Sequence, residues 1–300
     1  MKSCHALPGT IIAFACFLAG AASTHAQLDW PGGIYTPDSL AEIDRNRWSS
    51  YELPNHATLW ANVWAPWNTT GKRIDAAGWP MPMRMWTTVH DVTKRHWEVV
   101  YDVVGEAAKD SPYRSDHEGI SWVKAFPHIQ DKPAGLFVSQ AGEKILHSEW
   151  TFGAESTDWA NHRFNAIWEI RLGRVGSDGK GIPDSGYIIQ LEVMQARYGN
   201  PERPSVALSG YDWTPGIFTT YGNVPVYKFI LAGAGVSENT ARTVALDLLA
   251  FAKHTASLPE TYSRAHPDAQ ILEVNAGIEV CDGTDSRFWT THYAVDVRNR

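Results

Sequence analysis

The sequence predicts an all-β sandwich of two antiparallel sheets with one helix packed outside. From Tyr51 onward the chain is built of short runs rich in Trp, Val, Tyr, Phe and Ile, broken every ~8–15 residues by Gly, Pro, Asn or Asp, which is the texture of many short strands joined by turns. One segment alone, beginning near Ser237, repeats its apolar residues at helical spacing. Once an N-terminal leader is set aside roughly 270 residues remain, a length that all-β sandwiches occupy as one domain.

Residues 1–26 read as that leader. Lys2, an apolar run over 11–22 and the small residues ending in Thr24-His25-Ala26 are the parts of a secretory signal, with cleavage expected after Ala26 and a secreted or periplasmic destination. The apolar run is too short to span a bilayer. Cleavage removes Cys4 and Cys16 and leaves Cys281 as the one thiol, so no intrachain disulfide is expected. Acylation of Cys16 is disfavoured by the preceding Ala13-Phe14-Ala15.

Residues 27–50 form an N-terminal extension, with turn signals at Pro31-Gly32-Gly33 and Pro37-Asp38 and a short helix expected over 39–47. The sandwich domain follows, over 51–300. Its strands are predicted at 83–90, 97–104, 120–125, 135–141, 165–172, 187–194, 206–208, 211–221, 226–231, 271–280 and 286–297. The helix starts at the cap signals Ser237-Glu238-Asn239-Thr240, carries Val244, Leu248, Leu249, Phe251 and Ala252 at helical spacing, and ends at Pro259. There is no internal repeat and no low-complexity tract.

Composition excludes several functions. The formal charge is −7 and no Lys/Arg cluster suited to phosphate backbones occurs, so nucleic acid is not an expected partner. The 12 histidines show no His-x-x-x-His or similar ligand spacing, so neither a metal nor another cofactor is expected. Tryptophan is abundant, at 14 residues. Its flat apolar face and polar N–H suit a pyranose ring as well as a core, and most of the 14 are expected in the core. Asn68-Thr69-Thr70 matches a glycosylation sequon, which matters only in a eukaryotic secretory pathway.

Three predicted strands place a glutamate among apolar residues, and the two-residue period of a strand assigns the faces. In 187–194, Tyr187, Ile189, Leu191 and Val193 form an apolar face; Gln190, Glu192 and Met194 form the other. In 165–172, Asn165, Ile167 and Glu169 oppose Ala166, Trp168, Ile170 and Leu172. In 271–280, Glu273, Asn275, Gly277 and Glu279 oppose Leu272, Val274, Ala276, Ile278 and Val280. Two carboxyl groups across a cleft are what glycosidic cleavage needs, one to protonate the leaving oxygen and one to meet the positive charge that develops at the anomeric carbon. Periodicity does not show that they meet, and a glutamate on an exposed strand face is usually just solvated.

At these residues the sequence resembles glycoside hydrolase family 12, the small jelly-roll endoglucanases and xyloglucanases, in one order from about Tyr51 to the C-terminus. The family's nucleophile strand reads Glu, aliphatic, Met, Ile, Trp, and a Val-Tyr-x-Phe strand follows. Here Glu192, Met194, Trp213 and Val226-Tyr227-Lys228-Phe229 stand in matching places. Gly277-Ile278-Glu279 matches the family's acid/base segment after a long helix. FNAIWEIRL around Asn165 matches its Asn-Val-Ala-Tyr-Asp strand, WVKAFPHI around Trp122 its Val-Lys-Ser-Tyr-Pro, and Asn62-Val63-Trp64 its early Asn-x-Trp. Ala196 stands where the family has Trp, Glu169 where it has a helper Asp, and the segment 74–119 is longer than the family's.

The resemblance implies a retaining endo-β-1,4-glucanase acting on a plant β-glucan: cellulose, xyloglucan or mixed-linkage glucan. Glu192 would be the nucleophile, Glu279 the acid/base and Glu169 the residue orienting Glu192, with the two carboxyl groups roughly 5–5.5 Å apart and Glu279 held above its ordinary pKa by burial and by the charge of Glu192. Asn62, Trp64, Trp122, Asn165, Met194 and Trp213 would bind substrate, the three tryptophans as sugar platforms. Lys124 and Phe126-Pro127 are expected to be structural and His128 to lie on the surface. A monomer is expected, with no membrane partner. The competing readings are a non-catalytic carbohydrate-binding jelly roll, which two facing glutamates would disfavour, a polysaccharide lyase, which favours Tyr/His in a basic cleft, and a structural cell-wall protein.

Overall fold

The computed structural model describes residues 50–60, 83–103, 125–133, 135–160, 162–177, 179, 181–182, 185–196, 204–221, 224–259 and 265–300. The leader, the extension up to residue 49 with its helix at 39–47, Asn62, Trp64, the sequon, and residues 120–124 of a predicted strand, with Trp122 and Lys124, lie outside the described residues. The strands are β1 (Ser50–Glu52), β2 (Thr58–Trp60), β3 (Met83–Asp91), β4 (His96–Val103), β5 (His128–Asp131), β6 (Lys144–Ser156), β7 (Arg163–Gly173), β8 (Tyr187–Ala196), β9 (Val206–Leu208), β10 (Tyr211–Tyr221), β11 (Val224–Leu231), β12 (Gly235–Val236), β13 (Thr240–Asp247) and β14 (Gln270–Asn299), with helix α1 (Leu248–Ala256) between the last two.

One sheet runs β1-β2-β5-β14-β7-β8-β11-β10-β9, with β12 added to β8; the other is β3-β4-β14-β6-β13. The 30-residue β14 belongs to both. Its first part pairs with β5 and β7, and its second with β4 and β6. This is a jelly-roll sandwich, as the sequence predicts, with one departure from antiparallel pairing: β8 takes β11 and β12 in parallel.

Alternation along the strands fills the space between the sheets. In β6, Leu146, Ser148, Trp150, Phe152 and Ala154 are buried. Trp150 meets Trp168 of β7 edge-on, with ring centroids 5.0 Å apart. Both indoles find acceptors, Trp150 Nε1 donating to Thr290 Oγ1 at 2.9 Å and Trp168 Nε1 to Ser148 Oγ at 3.0 Å, so each buries a large apolar body without stranding its N–H. Helix α1 is capped by Asp247, whose carboxylate accepts from Leu249 N, and packs Leu248, Leu249, Phe251 and Ala252 inward.

Several elements differ from the sequence prediction. Residues 240–247 are strand β13, and the helix begins only at Leu248. The stretch Thr-Ala-Arg-Thr-Val-Ala-Leu-Asp buries Val244 and Leu246 in the alternation of a strand, and β-branched residues favour that state. The cap-like Asn239 instead anchors a turn, its Oδ1 accepting from Ser156 N and Trp159 Nε1. The strand predicted at 135–141 is a 3-10 turn over Val138–Gly142, preceded by Gly135 at a φ of 66°. The two strands predicted at 271–280 and 286–297 are one: Asp282-Gly283 reads as a turn signal, but the chain passes through it as a bulged strand where it changes sheets. Gly283 is needed there because a Cβ would fall 2.8 Å from Ser286 Oγ and 2.9 Å from His162 and Tyr101. Finally, β1, β2, β5, β6 and β12 are absent from the prediction, and β6 is the longest strand after β14.

Cys281 is fully buried. Among the described residues no helix is long and apolar enough to cross a membrane.

Candidate active site

Strand β7 lies between the two strands that carry the candidate carboxylates, β8 on one side and β14 on the other. Its residues Ala166, Trp168, Ile170 and Leu172 join the core, which turns Asn165, Ile167 and Glu169 to the opposite face. Register then fixes the neighbours. Asn165 pairs with Gln195 and Glu279, Ile167 with Glu192 and Gly277, and Glu169 with Gln190 and Asn275. Partners across a ladder share a face, so Glu192 and Glu279 lie on one side of the sheet, flanking β7 one row apart.

A bulge corrects the sequence assignment of β8. Ala166 pairs with Met194 but Ile167 with Glu192, so Val193 is an extra residue. The insertion shifts the alternation by one. Met194 is thereby turned into the core, where it is fully buried, and is not a substrate-binding residue; Gln195 takes the place on the Glu192 face. The alternation of β14 is also offset by a bulge between Ile271 and Glu273, which leaves Leu272 exposed instead of apolar and buried.

Each carboxylate is held by neutral amides. Glu279 accepts from Asn165 Nδ2 at 3.0 Å and from Gln190 Nε2 at 2.9 Å. Glu192 accepts from Gln195 Nε2 through Oε2 and pairs through Oε1 with Lys228 Nζ at 3.0 Å. Gln190 thus reaches from the strand of one carboxylate to the other, which ties their positions together. Burial raises the pKa of Glu279 above its ordinary value, Lys228 and the Asn165 hydrogen bond oppose this, and the charges of Glu192 and Glu169 add to the rise. The direction and the two causes expected from the sequence both hold. Three amide oxygens on this face, of Asn165, Gln195 and Asn275, are buried without a partner. Such acceptors carry a desolvation cost until a donor arrives.

Glu169 has another role than the one expected. Its Oε1 accepts from Arg171 Nε at 2.7 Å and from Asn275 Nδ2 at 3.2 Å, and it is Gln195 and Lys228 that orient Glu192. One methylene more than Asp lets the side chain reach along its own strand to Arg171 instead. Trp213 is not a sugar platform: it is fully buried, edge-on to Phe251 at 4.9 Å, with Nε1 donating to Leu208 O at 3.1 Å. His128 is not on the surface. It is buried, stacked on Phe126, hydrogen-bonded through Nδ1 to Phe126 O, and its pKa is lowered to about 4 by burial. Phe126 and Pro127 are structural as expected, with Pro127 O against Gly277. Gln190, Gln195, Asn275 and Lys228 were not foreseen as site residues. Lys228 carries the same signal as the glutamates, a charge inside an apolar strand; Gln195 was hidden by the bulge. Among the described residues no group of three or more His, Cys, Asp or Glu side chains is arranged to hold a metal.

The fold matches several solved structures over most of their length. The catalytic domain of Humicola grisea Cel12A, in complex with a soaked thio-cellotetraose, superposes with a TM-score of 0.58 at 16% identity, covering 84% of this chain and 96% of that one. The family 12 xyloglucanase of Bacillus licheniformis, in complex with a ligand, gives 0.56 at 18% identity over 83% and 96%. Its fold is that of glycoside hydrolase family 12. The xyloglucanase domain of the type three effector NopAA from Sinorhizobium fredii, in complex with cellobiose, gives 0.54 at 15% identity over 84% and 98%. No sequence profile of a protein family matches the chain, and no curated protein matches it. Against the family 12 pattern, Gln195 occupies the place of an Ile, and that replacement supplies the amide that bonds Glu192.

Proposed function

We propose that this protein is a retaining endo-β-1,4-glucanase, exported from the cell and acting as a monomer, that hydrolyses cellulose, xyloglucan or mixed-linkage glucan. One observation carries the reading: Glu192 and Glu279 share a face across β7, the first paired with a cation and the second held toward its neutral form by burial and by the charge of the first. Two carboxyl groups with opposed environments are the acid/base and nucleophile pattern of glycosidases. Glu192 attacks the anomeric carbon, the bond to the leaving oxygen breaks, and the proton of Glu279 goes to that oxygen. Water then gives its proton to Glu279 and displaces Glu192, so the configuration is retained. The unpartnered amide oxygens of Asn165, Gln195 and Asn275 are suited to sugar hydroxyls, which bring the donors they lack.

The test is release of reducing ends from carboxymethyl cellulose, xyloglucan, mixed-linkage glucan and xylan by wild type, Glu192→Gln and Glu279→Gln. Activity is expected on at least one of the first three, with its loss by a factor of roughly 10² or more in each variant while the polysaccharide is still bound. Binding without cleavage by the wild type would favour the non-catalytic carbohydrate-binding reading. Wild-type rates in either variant would remove that residue from the mechanism.

A further inference from the structure

Lys228 sits on β11, where Val226 and Ile230 two residues away keep the strand otherwise apolar. Parallel pairing sets Lys228 beside Gln190 and Ile230 beside Glu192. On the other edge, β11 meets β10 at a bulge between Pro215 and Phe218. Lys228 Nζ lies 3.0 Å from Glu192 Oε1 while Gln195 holds Oε2, so the carboxylate is gripped at both oxygens from two strands. About a quarter of the Lys228 side chain is exposed, against 5% of Glu192.

We infer that Lys228 is a positioning residue of this site, whose ammonium fixes the attacking carboxylate of Glu192 and supplies the positive charge against which the two acids are balanced. This rests on the hydrolase reading above. The charged and titratable groups around Lys228 are Glu192 from β8 and Glu279 and Cys281 from β14. Glu169 from β7 acts on Glu279, and Arg171 and His128 lie beyond Glu169. Glu273 of β14, 3.7 Å from Arg171, lies on the same face, so four acidic side chains share it, and Lys228 is the cation bonded to the one that must attack.

An ammonium near Glu279 favours its ionised form and so lowers its pKa, and removing it leaves only the Asn165 hydrogen bond to oppose burial and the charges of Glu192 and Glu169. The Glu279 carboxyl then keeps its proton to higher pH, and the alkaline limb of the activity profile moves upward. Loss of the grip on Glu192 acts separately, as a fall in kcat with little change in KM, because it touches the reacting atom and not the binding of distant sugars.

The experiment is a pH titration of glutamate carboxyl ¹³C resonances in wild type, Lys228→Met and Lys228→Arg, the Glu279 resonance being assigned by its loss in Glu279→Gln, together with kcat and KM for reducing-end release. In K228M the Glu279 titration is expected at higher pH and kcat roughly 10²-fold lower, the effect of a reacting group displaced by about 1 Å. In K228R both are expected to return toward wild type. If K228M lacks the wild-type near-UV spectrum, Lys228→Gln, neutral but still able to donate to Glu192, carries the same titration test. An unshifted Glu279 titration in the neutral variants, or wild-type kcat in K228M, would overturn the inference while an active wild type leaves the hydrolase reading standing. A shifted titration with a wild type inactive on every β-glucan would overturn the catalytic role along with that reading.

Discussion

Asn165 donates through Nδ2 to Glu279 Oε2 at 3.0 Å, and it is the register partner of both Glu279 and Gln195, so one residue of β7 binds the carboxylate on one neighbouring strand and aligns with the Glu192 partner on the other. The bond favours the ionised form of Glu279. Asn165→Ala should therefore raise the Glu279 pKa and carry the alkaline limb of the kcat/KM profile upward. A profile unchanged on that limb would mean that Asn165 does not act through Glu279.

The raised pKa of Glu279 has a sign in stability. Above the ordinary value of 4.5 the unfolded chain has lost this proton while the folded protein keeps it, so stability falls as pH rises through that window up to the folded pKa. Glu279→Gln removes the penalty. Asn165 can turn its unpartnered Oδ1 toward the new amide, so the variant has a hydrogen bond available. Its Tm should exceed that of the wild type at neutral pH, and the gap should close on acidification. A gap that grows in acid would contradict this.

Glu192→Gln strands Lys228, which keeps about a quarter of its side chain in solvent. A fully buried pair broken in this way costs about 3–5 kcal/mol and an exposed one under about 1, so a loss of roughly 2 kcal/mol is expected by urea denaturation. The double variant Glu192→Gln, Lys228→Met should recover part of it, since no uncompensated charge is left. Strictly additive losses would show that the pair is not coupled.

Gly277 holds β14 against β5 beside Glu279. A Cβ there would fall 2.1 Å from Pro127 O and 2.6 Å from His128 Cβ, and the backbone must shift. Gly277→Ala should cost about 1–3 kcal/mol and reduce activity with it. Gly142, where a Cβ would meet nothing within 4 Å, is the control, and its Ala variant should stay within about 0.5 kcal/mol of wild type.

Trp213 distinguishes a core from a platform. Trp213→Ala should lose about 3–5 kcal/mol of stability, whereas Trp213→Phe should bind β-glucan as the wild type does. Weakened binding by a well-folded Phe variant would return Trp213 to the site.

The sequence was most legible where a strand is regular. The alternation of β7 placed Asn165 and Glu169 on one face and Trp168 in the core without error, and the same period in β14 put Glu279 opposite Ile278. Legibility failed where an added residue breaks the period. Met194 and Gln195 exchange faces because of a bulge that neither residue announces, and Asp282-Gly283 carries a turn signal inside a strand. The helix signal in the sequence starts ahead of the helix because Ser237 to Thr240 has the composition of a cap, while the Thr and Val residues that follow prefer the strand they form beside β6. The places of Trp213 and His128 are illegible in the sequence for another reason. Aromatic and imidazole side chains suit both a core and a binding surface, and only the packing of Phe251 and Phe126 against them decides.

The double membership of β14 makes the sandwich depend on its latest strand. Arg287 bonds Glu98 across 189 residues of sequence, and the strand's other half aligns Glu279 with Asn165. Until this segment emerges, β4 and β6 lack their common neighbour and β5 and β7 lack theirs, so four strand edges, two in each sheet, wait open during synthesis. Assembly is therefore slow and late, governed by long loop closures, and the unfinished chain is the species most exposed to edge-to-edge aggregation.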